Sequence, residues 1–125
     1  MTIKEFLNIK NPALRRQTIF ALSRENSQES FALLCAILKK DASPVIRHEA
    51  VFLLGTSRNR KAVPKLISAI LRDPSDLVRH EAIEALGDLH VKTKRIKDLL
   101  LTLQKDKNPF IKDTAEVALA TLLKN

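Results

Sequence analysis

One segment of this chain occurs twice. Asp41 to Gly55 aligns without a gap on Asp73 to Gly87, an offset of 32 residues. Both copies contain Arg-His-Glu-Ala, at Arg47 to Ala50 and at Arg79 to Ala82. A step of 32 back from Arg47 lands on Arg15, and a step of 33 forward from Arg79 lands on Lys112. Each landing point lies in a weaker version of the same pattern. Self-similarity at such a period is the mark of a stacked array, in which no unit buries its apolar face alone and the end units diverge because each keeps a wetter side.

Each unit reads as a helical hairpin. The first helix starts near Pro44 or Asp76 and is expected to end at Gly55 or Gly87, since proline suits a first turn and glycine a helix end. Ile46, Ala50, Leu53 and Leu54 form one apolar stripe at helical spacing, and Val78, Ala82, Ala85 and Leu86 repeat it. The second helix is Val63–Leu71 in one unit and about Ile96–Leu103 in the next, with Phe31–Leu38 in that role in the first. The fourth unit stops after its first helix, near Leu123. The expected fold is therefore an all-α solenoid in one domain, with four hairpin units at about residues 9–38, 39–71, 72–103 and 104–125. Asp41, Asp73 and Asp106 each lie six residues before Arg47, Arg79 and Lys112. They are expected to form a ladder of loop carboxylates meeting helix cations of adjacent units.

Composition supports this. Only two glycines occur in 125 residues, with no Trp or Tyr, while 45% of the residues are hydrophobic. A chain so constituted packs aliphatic helices and is not disordered. The lone Cys35 lies in an apolar run and is expected to be a core residue in a reducing compartment. No apolar run is long enough to span a bilayer, and MTIKEFLNIK does not read as a signal peptide. The expected location is cytoplasmic.

The formal charge is +8, which admits anionic partners. Arg58, Arg60 and Lys61 follow the first helix of one unit, and Lys92, Lys94, Arg95 and Lys97 follow that of the next. Together they form a candidate anion-binding edge that could meet nucleic-acid phosphates, although no aromatic residues interleave with them for base stacking. His90, just after Gly87, is expected to be an exposed turn residue. No glycine-rich phosphate loop, nucleophile elbow or paired-cysteine zinc motif is present.

The histidines of the two Arg-His-Glu-Ala segments carry the sharper hypothesis. His48 and His80 are each turned some 200° from the apolar stripe, at about 100° per residue, so they face a surface or groove. They occupy matching places on neighbouring helices, which pack roughly 8–10 Å apart. Two neutral imidazoles with adjacent carboxylates, Glu49 and Glu81, have the chemistry of a non-haem iron site. The opposing reading is that one harmless surface pair was duplicated with everything else.

Arg47 to Gly55 and Val78 to Gly87 resemble the His-Glu motifs of deoxyhypusine hydroxylase, a di-iron monooxygenase family built of HEAT repeats. The resemblance runs from about Leu14 to Leu123. The short units also resemble the HEAT-like repeats of phycobilin-lyase-type proteins. Members of the hydroxylase family have two halves with two His-Glu motifs in each, and this sequence is similar to one half. By motif position the resemblance implies that His48 and His80 are one chain's metal-ligand pair, that Glu49 ligates iron held by a second chain, and that Glu81 lies near the substrate. It implies iron as cofactor and a homodimer as the complete unit. The first unit has Arg16 and Gln17, and the last has Asp113 and Thr114, where a His-Glu pair would stand. Two other functions stay open, a protein-binding scaffold using an extended solenoid surface and phosphate-backbone binding through the basic edge.

Overall fold

A computed structural model describes residues 1–124, and these are helical throughout with no strand. A short α1 (Ile3–Leu7) leads into α2 (Pro12–Glu25) and α3 (Gln28–Lys40). Then come α4 (Pro44–Thr56) and, after a 3₁₀ turn at Arg60–Ala62, α5 (Val63–Arg72). The chain continues through α6 (Asp76–Leu89) and α7 (Lys94–Leu103) to α8 (Pro109–Leu123). The fold is an α-solenoid. The first helices α2, α4, α6 and α8 form one row, and the second helices α3, α5 and α7 lie behind it. The tightest packing is between α4 and α6 and between α6 and α8, while α3, α5 and α7 pack mainly on first helices.

Local signals explain the starts. Asn11, Ser43, Thr93 and Asn108 each accept a backbone N–H of the first turn through the side chain, and α2, α4 and α8 open with proline. The apolar stripes are buried as the periodicity requires. Ile46, Ala50, Leu53 and Leu54 join Val78, Ala82, Ala85 and Leu86 in one continuous core, together with Leu66, Ile70, Ile96, Leu100 and Ile111. At the N-terminal end, Phe6 is fully buried beneath the Arg15 guanidinium, 5.0 Å from its ring centroid.

The helix ends correct one expectation. Neither glycine terminates a helix, since α4 runs past Gly55 to Thr56 and α6 runs past Gly87 to Leu89. Left-handed caps do occur, but at Asn26 and His90, each with φ of 52°. Gly55 is needed inside α4 because α6 crosses it closely there. A Cβ on Gly55 would stand 2.7 Å from Cβ of Ala85.

The aspartate ladder forms with its pairing running backwards along the chain. Asp41 takes Arg15, Asp73 takes Arg47 and Asp106 takes Arg79, so each loop carboxylate meets the cation of the preceding unit. The Arg47 Nε and Nη2 groups donate to the two carboxylate oxygens of Asp73 at 2.9 and 3.0 Å, and Nη1 donates to the carbonyl of Asp41. Each aspartate also accepts a backbone N–H two residues on, from Ser43, Ser75 or Asn108, which shapes its own loop. Lys112 takes part in no rung among the described residues.

Candidate metal and substrate site

A second ladder runs along the outer surface of the first-helix row. Arg16 donates to Glu49 at 2.8 Å, His48 Nε2 lies 2.9 Å from a carboxylate oxygen of Glu81, and His80 Nδ1 lies 2.7 Å from the Thr114 hydroxyl. In every rung, the residue after the ladder arginine (or its equivalent) meets the next unit's following residue. The repeat register thus brings His48 and Glu81 together across two helices, and it holds Glu49 on Arg16. The two histidine side chains are 28% and 20% exposed, facing a surface groove as the helical angle requires.

The surroundings hold the His80 ring at both nitrogens. The Thr114 hydroxyl, which also meets the carbonyl of Phe110 at 2.8 Å, faces Nδ1. The Glu84 carboxylate, which can only accept, faces Nε2 at 3.1 Å. The ring is also stacked on Phe110, with centroids 4.3 Å apart. This orientation by an outer hydrogen bond is the usual way a ligating imidazole is set.

Carboxylates crowd the groove although the chain as a whole is basic. Burial pushes the Glu81 carboxyl up to about 7, helped by a hydrogen bond that its protonated form donates to Glu84 and by the charges of Glu84, Asp88 and Glu49. Burial and Glu84 also raise Asp88. The raised Glu81 carboxyl lies beside the His48 ring, 2.9 Å from Nε2. Beyond His80 a cleft of about 470 Å³ opens between α6 and α8, lined by Glu84, Asp88, Phe110, Asp113 and Val117 among others.

Among the described residues, no three His, Cys, Asp or Glu side chains gather at metal-binding spacing. His48 and His80 provide donor nitrogens and Glu49 and Glu81 provide carboxylates, but Nε2 of His48 is engaged by Glu81 and Glu49 by Arg16. The basic residues lie elsewhere. Arg58, Arg60 and Lys61 sit at the α4–α5 connection, and Lys92 sits before α7. Lys94, Arg95 and Lys97 stand in the first turn of α7, with Lys94 paired to Asp98 at 2.7 Å. His90 is exposed in its turn, and Cys35 is half-buried at the core's edge rather than inside it.

Glu84 and Phe110 were not among the sequence candidates for this site, and Arg16 and Thr114 were read only as departures from the His-Glu pattern. Glu84 was legible as the helical i+4 neighbour of His80. Thr114 was legible by carrying the register of Glu49 and Glu81 one unit further. Stacking of Phe110 on His80 had no sequence signal.

A fold of stacked helical hairpins with paired inter-unit ladders defines a class, and residues 31–120 match it as HEAT repeats. The chain belongs to the HEAT-repeat family. Among solved structures it is similar to human deoxyhypusine hydroxylase in complex with glycerol, with a TM-score of 0.80 and 26% sequence identity. The match covers 96% of this chain and 42% of that one, so the chain spans less than half the length of the enzyme it resembles. No curated protein matches it by sequence.

Proposed function

We propose that two copies of this chain build a shared histidine-and-carboxylate iron site that performs a monooxygenase reaction of the deoxyhypusine hydroxylase type. The observation that supports this most is the placement of His48 and His80 at equivalent positions of neighbouring helices, in a chain whose backbone follows that enzyme over nearly its whole length. One chain offers two imidazoles but no complete ligand set. A twofold partner, the commonest oligomeric arrangement, adds the carboxylate that is lacking.

In this reading His80 presents Nε2 once Glu84 moves aside, with Nδ1 held on Thr114. His48 presents its ring once Glu81 moves aside. Glu49 exchanges Arg16 for the metal held by the second chain. Iron bound there supplies redox chemistry toward dioxygen. Glu81, with a carboxyl titrating at about 7, serves the substrate by holding or yielding a proton near neutral pH. The carboxylates of Glu84, Asp88 and Asp113 favour a cationic, amine-bearing substrate over an anionic one.

The test is iron content after anaerobic loading with ferrous ion, for wild type and for His48→Ala with His80→Ala, alongside mass in solution. The expected outcome is about one iron per chain in a dimer, absent in the double variant. Iron-free protein in both cases would sink the enzyme reading.

A protein-binding scaffold is the second reading, and one observation favours it. The rungs at Arg16–Glu49 and His80–Thr114 show that the same register also carries ordinary inter-unit contacts, so His48–Glu81 could be one more of these. Val45, Leu77 and Phe110, exposed at matching places of three units, would then be the contact row for another protein.

A further inference from the structure

A second cleft, of about 560 Å³, lies on the opposite layer between α3 and α5, well away from the histidine groove. Its cause is local. α5 turns Pro64, Ser68 and Ala69 toward it, whereas the corresponding places of α7 hold the larger Lys97, Leu101 and Thr102. The second helices α3 and α5 touch only lightly, as do α5 and α7, and between α3 and α5 the small side chains leave the space open.

Four cations line this cleft: Arg47, which is paired with Asp73, and three others, Lys39 from the last turn of α3 and Lys65 and Arg72 from α5. Among the described residues none of these three others has a carboxylate within ion-pair distance. The aspartates that also line it, Asp41 and Asp73, are already committed to Arg15 and Arg47. Lys39 and Arg72 stand in last turns, where helix dipoles favour cations. Lys65 does not. It stands in the first turn of α5, where the dipole opposes a positive charge, so helix stability does not account for it. Cys35 and Leu38 add a partly apolar wall. Burial raises the Cys35 thiol, and the Lys65 charge opposes that shift.

We infer that this cleft is a binding site for a small phosphorylated compound, whose phosphate oxygens pair with Lys39, Lys65 and Arg72 and whose carbon framework lies against Cys35 and Leu38. The volume falls within the range of small-molecule pockets. Three uncompensated cations match the two to three charges of a phosphomonoester or diphosphate. The site is independent of the iron reading, since it shares no residue with the histidine groove.

Cys35 is the chain's one cysteine, so its alkylation by a neutral reagent reports on this cleft alone. Alkylation is timed across a titration with inorganic pyrophosphate at fixed ionic strength. Pyrophosphate should slow the reaction saturably, and Lys65→Gln or Lys39→Gln should raise the midpoint by about tenfold each, one charge-assisted contact apiece. Ser68→Leu, an exposed position at which a larger side chain fills the cleft, should abolish protection while helicity by circular dichroism is kept. Alkylation unaffected by pyrophosphate would overturn the proposal, as would equal midpoints in the lysine variants or full protection in Ser68→Leu. Protection by a single-stranded oligonucleotide but not by pyrophosphate would also overturn it, by showing an extended polyanion surface in place of a discrete site.

Discussion

At the scale of single residues, the two glycines divide what local reasoning can and cannot reach. Both end the apolar pattern of a first helix, so both look like caps. Both are instead helical, and they differ in what faces them. A Cβ on Gly55 would meet the Ala85 side chain at 2.7 Å and its backbone Cα at 3.1 Å, so α4 and α6 would have to part. A Cβ on Gly87 would meet Ala118 at an ordinary 3.6 Å. Replacing glycine by alanine inside a helix gains up to about 1 kcal/mol, and overpacking costs roughly 1–3 kcal/mol. Gly55→Ala should therefore destabilise the protein by about 1–2 kcal/mol. Gly87→Ala should stabilise it by about 0.5 kcal/mol. Chemical denaturation of the two variants reads the difference, and equal shifts would refute the packing argument. The sequence held no clue to the distinction, because it depends on how closely two crossing helices approach.

At the scale of elements, the hairpins were largely legible and their joints less so. α4 and α6 start where Pro44 and Asp76 announce, and their stripes are buried as the periodicity demands. The second helix of the first unit begins at Gln28, ahead of its apolar run, because Ser27 and Ser30 form a reciprocal capping box. The joints are held by the aspartate ladder, whose middle rung is well enclosed, with 10% exposure for the Arg47 side chain and 7% for Asp73. Removing one partner of such a pair leaves a buried charge and typically costs about 3–5 kcal/mol. Asp73→Ala should lose stability of roughly that size, because it strands Arg47 and also frees the Ser75 N–H. An exposed pair such as Lys94–Asp98 should matter by less than about 1 kcal/mol. Denaturation midpoints of Asp73→Ala and Asp98→Ala provide the comparison, and similar losses would mean that the ladder is not structural.

At the scale of the whole molecule, charge is segregated. The carboxylates collect along the first-helix groove, and many of the uncompensated cations lie on the second-helix layer and the connections. This shapes stability against pH. The Arg79 hydrogen bond holds the Asp106 carboxyl below its ordinary 3.8. The unfolded chain therefore binds the proton more readily, and the stability from that contact is lost as pH falls below this range. Glu81 is shifted the other way, from 4.5 to about 7. The folded protein then binds more protons between those values, so its stability declines as pH rises from 4.5 to 7 and levels off above. Thermal melts should show highest stability in mildly acidic solution, with the neutral-side decline removed in Glu81→Gln. An unchanged decline in that variant would assign it to other groups. What the sequence determined by itself was the repeat, its period, the helical class and the identity of the residues placed one unit apart, because these are matters of order and spacing along the chain. Tertiary structure decided the rest. It set which way the aspartate rungs point, why Gly55 stands where two helices cross, which groups hold the two nitrogens of His80, and where small side chains on α5 leave a basic cleft open. Each of these depends on the distance between atoms of neighbouring units, and that distance is set only when the units pack.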